Sequence, residues 1–147
     1  MSARLRIQLI TATTAAALAA TFAPAAMAAE TSEFTISNVT DFHGYWEETK
    51  NVPGAAHLKC AVDEAAAGKT HIFTSAGDNI GASPFASKLL NDAPTLEILN
   101  LMNLQVSALG NHELDEGAAE FSDRVTAASD FDYLAANAET VKNTKDY

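Results

Sequence analysis

Short apolar runs rich in β-branched and aromatic residues alternate along most of this chain with longer stretches whose apolar positions recur at helical spacing. Phe34-Thr35-Ile36-Ser37-Asn38-Val39 predicts a strand that ends at Asp41. Asn51-Val52-Pro53-Gly54 reads as a turn, and Ala55 to Ala67 as an alanine-rich helix stopped by Gly68. His71-Ile72-Phe73-Thr74-Ser75-Ala76 is the second predicted strand and runs into Gly77-Asp78. Pro84 opens a short helix reaching about Leu90, and Pro94 stands at the start of another, carrying Leu96, Leu99 and Met102. Val106 to Leu109 is a third strand, Gly117 to about Ala128 a further helix, and Tyr133 to Asn137 a fourth strand of weaker pattern. Strand, loop, helix, strand in succession predicts βαβ units and a mainly parallel sheet.

Ahead of the first strand, Arg4 and Arg6 precede an apolar stretch from about Ile7 to Phe22, and Ala26-Met27-Ala28 offers the small-x-small pattern of a signal peptidase site. Residues 1–28 are therefore expected to be an export signal and residues 29–147 the mature part, placed outside the cell or in its envelope. Thr11, Thr13, Thr14 and many alanines make the stretch a weak membrane span, so no stable span is expected after cleavage.

The formal charge is −10 at pH 7, from nine basic and nineteen acidic residues. With no Lys/Arg cluster, that balance excludes nucleic-acid binding through a basic face. Acidity suits a soluble exported protein, and it suits a site that gathers carboxylates around cations. Cys60 is the one cysteine, so no internal disulfide forms. Its place in a helical pattern predicts a small apolar filler of a helix face.

Candidate chemistry lies at the carboxyl ends of the first three strands, where parallel sheets bind their ligands. Asp41 and His43, two apart at a strand end, would point to one side and offer one metal ion a carboxylate oxygen and an imidazole nitrogen. Gly44 would let the backbone turn close to that ion. The bland alternative is a surface His beside an Asp. Asp78, framed by Gly77 and Gly81, could bridge two cations, one on each oxygen, or could cap the next helix. Asn111 presents a neutral amide oxygen to a second cation. Next to it, His112 could be oriented and kept protonated by Asp115, three residues on, and so stabilise charge on phosphate. Alternatively, Asn111 caps a helix whose first turn favours Glu113 and Asp115.

Taken together, the three motifs resemble the calcineurin-like metallophosphoesterase superfamily. The phrases Gly77-Asp78-Asn79-Ile80-Gly81-Ala82-Ser83-Pro84-Phe85, Ala108-Leu109-Gly110-Asn111-His112-Glu113-Leu114-Asp115-Glu116-Gly117 and Leu134-Ala135-Ala136-Asn137 are similar to the exported bacterial 5′-nucleotidase / UDP-sugar hydrolase group. The likeness runs from about Phe34 to Asn137. It implies the N-terminal part of a four-layer α/β/β/α sandwich holding two divalent ions, commonly zinc or manganese. Asp41 and His43 would bind the first ion, Asp78 would bridge and Asn111 would bind the second. His112 with Asp115 would act on the phosphate, which Asn111 and His112 would contact. The implied substrate is a nucleotide or another phosphomonoester, as in nucleotide catabolism.

The family's later Gly-His and Gly-His-x-His motifs are absent, and so is its base-binding domain. Three metal-binding histidines have no counterpart, because His57 is expected on the first helix and His71 at the strand end away from the motifs. The expectation is a truncated portion of such an enzyme, with little activity of its own. The competing expectations are a non-enzymatic secreted α/β fragment that binds metal or phosphate weakly, and a phosphodiesterase of the same superfamily. Half a sandwich also implies an uncovered sheet and self-association through it. Tyr45 and Trp46 read as loop packing, and Lys88 and Arg124 show no phosphate-binding context.

Overall fold

The computed structural model describes residues 32–138, and the export signal expected at residues 1–28 lies outside them. Four strands form one all-parallel sheet in the order β1-β2-β3-β4: β1 Phe34–Val39, β2 Thr70–Ser75, β3 Val106–Ala108 and β4 Asp132–Leu134. The expected α/β class and each of the four strands are therefore present. Between β1 and β2 runs α1, Gly54–Ala66. Two helices join β2 to β3: α2, Phe85–Lys88, and α3, Ala93–Leu101, with Pro94 in its first turn where a missing N–H costs nothing. After β3 comes a single 3-10 turn, His112–Leu114. The last crossover, α4, passes through Ala118–Glu120, a π-helical Phe121–Val125 and Thr126–Ala128.

Each strand pairs with the one before it, and right-handed crossovers in such a steadily advancing order lay all the helices on one face of the sheet. That face carries the core. Phe73 of β2 packs there with Val62 of α1, Leu96 and Leu99 of α3, and Val125 of α4, supported by Val39 and Tyr133 from the strands. The opposite face alternates with it residue by residue and mixes large apolar side chains with Asn38, Thr70, Thr74 and Asp132. Phe34, Ile36 and Leu134 stay 63%, 58% and 62% exposed, with Ile72 beside Ile36 in register. Among the described residues nothing covers this face, and no helix is long and apolar enough to cross a membrane.

One expectation is corrected. Cys60 is exposed rather than packed. The inward stripe of α1 is Ala55, Leu58 and Val62, and Cys60 lies two residues from Leu58, about 200° around the helix. Trp46 packs against the core, and Tyr45 is exposed.

Candidate metal centre

The first loop does not continue the strand. β1 ends at Val39, and Asp41, His43 and Gly44 all adopt left-handed backbone conformations, at φ 53°, 45° and 64°. The period-of-two argument for Asp41 and His43 therefore fails, because it applies only to extended chain. Their side chains meet by another route. Main-chain bonds zip this loop to the next one: Asp41 N–H to Gly77 O (3.2 Å), His43 N–H to Asp78 O (3.0 Å) and Gly44 N–H to Asn79 O (3.0 Å). His43 Nδ1 lies 2.8 Å from the Gly81 carbonyl, so Nδ1 carries the proton and Nε2 keeps its lone pair. That Nε2 is 3.7 Å from Asp41 Oδ1. Gly44 is needed for close approach to side chains: a Cβ there would sit 2.7 Å from Ser87 Oγ and 2.8 Å from Thr95 Oγ1.

Asp78, also left-handed at φ 54°, is the hub of the three loops. Its carbonyl accepts the His43 N–H, and its Oδ1 accepts the His112 N–H at 3.0 Å. It caps the third motif, not a helix of its own. Its own N–H donates to Glu113 Oε2 at 3.0 Å. Glu113, expected only as a favourable first-turn acid, is 3% exposed and also accepts Asn79 N–H (2.7 Å) and Gly110 N–H (2.8 Å). Asn79 is fully buried, accepts the Ser75 hydroxyl at 2.6 Å and donates to Ser107 at 2.8 Å, joining β2 to β3 beneath the site. Gly110 must be glycine, since a Cβ would collide with Asp78. The signal for Glu113 was present in the sequence. Glycine-framed loops leave main-chain N–H groups without partners, and an adjacent acid can collect them.

His112 donates Nδ1–H to Asp115 Oδ2 at 2.8 Å. This hydrogen bond raises the His112 pKa above 6.5; desolvation opposes it, and the charges of Asp115, Asp78 and Glu113 add to it. The metal-free chain is therefore expected to hold the imidazolium to higher pH than a free imidazole. The stabilisation from this pair is fully present below about pH 6.5 and is lost as pH rises through the folded-state value. Histidine NMR titration checks this, and His112 titrating at or below 6.5 would contradict it. Deeper in, burial and then the Glu113 charge push the Tyr133 phenol up and keep it neutral. Ser129 and Asn79 lie near enough to pull the other way, yet the hydroxyl closes no hydrogen bond among the described residues.

His43, Asp78 and His112 each present one donor atom, all within 4.8 Å of one another. Two ligands opposite one another on an ion with bonds near 2.1 Å lie about 4.2 Å apart, so a small inward movement lets these nitrogen and oxygen donors close on a divalent cation. Asp41 adjoins the group through His43. Asn111 is exposed, next in sequence to His112, and makes no side-chain capping bond.

No family model matches the chain. It is 38% identical to the cell wall protein Lmo0130 of Listeria monocytogenes, over 64% of this chain and 14% of that one. It is 30% identical to a 2′,3′-cyclic-nucleotide 2′-phosphodiesterase/3′-nucleotidase of Salmonella typhimurium, over 88% of this chain and 22% of that one. Among solved structures, a candidate 5′-nucleotidase from Staphylococcus aureus in complex with alpha-ketoglutarate superposes with a TM-score of 0.53 at 23% identity, over 69% of this chain and 22% of that one. The chain is a relative of the 5′-nucleotidase group of metallophosphoesterases, along their N-terminal portion. It spans less than a quarter of each of these three proteins.

A cavity of about 350 Å³ opens beside the centre of this 5′-nucleotidase relative, lined by His112, Asp115, Lys88, Asn91, Glu116 and Arg124. Lys88 and Arg124 show no shared context along the chain; α2 and the π-helical part of α4 bring them together here. Arg124 is paired with Glu120, whereas Lys88 has no carboxylate partner among the described residues.

Proposed function

We propose that this chain is the N-terminal portion of an exported, metal-dependent phosphohydrolase that releases phosphate from nucleotide monoesters. The observation that carries this reading is the convergence of His43, Asp78 and His112 at the carboxyl ends of three neighbouring parallel strands. Asp41 and His43 would hold one divalent ion, Asp78 would bridge to a second, and Asn111 would help hold that one. Zinc and manganese suit these donors. The chemistry such ions supply when bound is charge neutralisation at a phosphoryl oxygen and activation of water. Asn111 and His112 would contact the phosphate. With Nδ1 committed to Asp115, His112 holds a proton at Nε2, where it can pass to the departing ester oxygen. The leader pattern of residues 1–28 and a relative named a cell wall protein support export. A diester substrate is the second reading, favoured by the name of the Salmonella relative.

Two measurements test the proposal. Calorimetric titration with Mn²⁺ or Zn²⁺ is expected to show binding by the folded chain, and phosphate release from AMP, weak in this portion alone, is expected to stop with a chelator. A folded chain that binds neither ion, or release indifferent to chelation, would overturn it. The uncovered sheet face supports self-association in the same preparation. Ile36→Lys, at a 58% exposed position, is expected to leave stability within about 0.5 kcal/mol while lowering the sedimentation coefficient at high concentration. A wild-type chain that sediments as a monomer throughout would dismiss that contact.

A further inference from the structure

Among the described residues, Glu113 is a carboxylate buried without a cation partner. None of the ion pairs described in the chain includes it. A charge so placed is costly unless donors surround it. Among the described residues the donors are three main-chain N–H groups: Asp78 and Gly110 on Oε2, at 3.0 and 2.8 Å, and Asn79 on Oε1, at 2.7 Å. One oxygen atom thus pins two loops that follow different strands. Each donor belongs to, or directly adjoins, a residue of the candidate centre: Asp78 itself, Asn79 after it, and Gly110 before Asn111. Asp78 meanwhile holds a left-handed backbone that a side-chain-bearing residue adopts only when its surroundings enforce it.

We propose that Glu113 is a positioning residue for the metal centre. It fixes the peptides at Asp78 and Gly110, so that the Asp78 carboxylate faces His43 and His112 before any ion arrives. The proposal rests on the metal-centre reading above. Its chemistry is specific to an acceptor-only group of this length. Glutamine would turn an NH₂ against at least one of the three N–H donors. Aspartate keeps the charge but is one methylene short of bridging both loops.

The test uses Co²⁺ as the probe, with affinity read by calorimetry and donor geometry by the visible ligand-field bands at saturation. Glu113→Gln is expected to bind Co²⁺ about 10–100-fold more weakly, the range for residues that orient metal ligands, and to show altered bands. Glu113→Asp is expected to change both readouts in the same direction, by less. A merely structural role would leave the bands of the saturated, folded protein as in the wild type. Wild-type affinity and bands in either folded variant would overturn the proposal, and so would unfolding of both variants, since Glu113 would then hold the fold rather than the centre. An Asp78→Asn arm separates the two levels. If the wild type binds no Co²⁺, or Asp78→Asn binds it equally well, the metal-centre reading falls and takes this one with it. If Asp78→Asn loses binding while both Glu113 variants keep it, only the Glu113 proposal falls.

Discussion

Asp78→Asn is expected to weaken Mn²⁺ or Zn²⁺ binding by more than about 100-fold, beyond the range for residues that only orient ligands. Any metal-dependent phosphate release from AMP should go with it. The substitution is nearly isosteric, and the amide oxygen can still accept the His112 N–H that Oδ1 accepts at 3.0 Å. The other two ties, the N–H to Glu113 and the carbonyl to His43, are main chain and unaffected. What disappears is the negative charge at the point where His43 and His112 converge. The fold should survive and the centre should not. Calorimetry with a parallel urea melt distinguishes the two effects, and wild-type affinity in a folded Asp78→Asn chain would remove Asp78 from the centre.

Phe73→Ala is expected to cost about 3–5 kcal/mol, a large share of the stability of a domain this small. Phe73 is 2% exposed on the helix-bearing face of β2, in the cluster that includes Val62, Leu96 and Leu99. Its backbone holds the start of the β2–β3 pairing as well: its N–H donates to Gln105 Oε1 at 2.8 Å and its carbonyl accepts Gln105 N–H at 3.0 Å. Small domains have about 5–15 kcal/mol to lose, and a sheet packed on one face has fewer layers to draw on. Urea denaturation measures the effect. An unchanged midpoint would mean that the core is anchored elsewhere.

The strands were legible because buried parallel strands leave apolar runs. Their ends were legible because glycine and proline punctuate them. The motif loops could be read for the same reason: Asp78 and His112 stand where a strand must give way. What the sequence hid depends on partners far along the chain. Asp41 and His43 converge through left-handed turns held by Gly77, Asp78 and Asn79, not through strand alternation. Glu113 looked like a helix-start acid because its partners are main-chain N–H groups, which only the glycine framing of the two loops signals. Lys88 and Arg124 share a cavity only because two different crossovers lie side by side. The exposure of Cys60 was readable from angles on α1 once Leu58 and Val62 are taken as the inward stripe.

The advancing strand order also sets how the molecule can come together. Each strand pairs with its predecessor, so no strand waits for a distant later segment to insert between it and its neighbour. Each pairing still closes a crossover of 26 to 36 residues, but a chain emerging N-terminus first can add one βα unit at a time. The centre would be finished in the same sequence. Docking of β2 brings Asp78 to the Asp41–His43 loop, and the arrival of β3 delivers His112 and Glu113 together. Metal capture would therefore report on the third strand: the proposed second ion, bridged by Asp78 and held with help from Asn111, would mark a nascent chain that has already placed Val106 to Ala108 in the sheet.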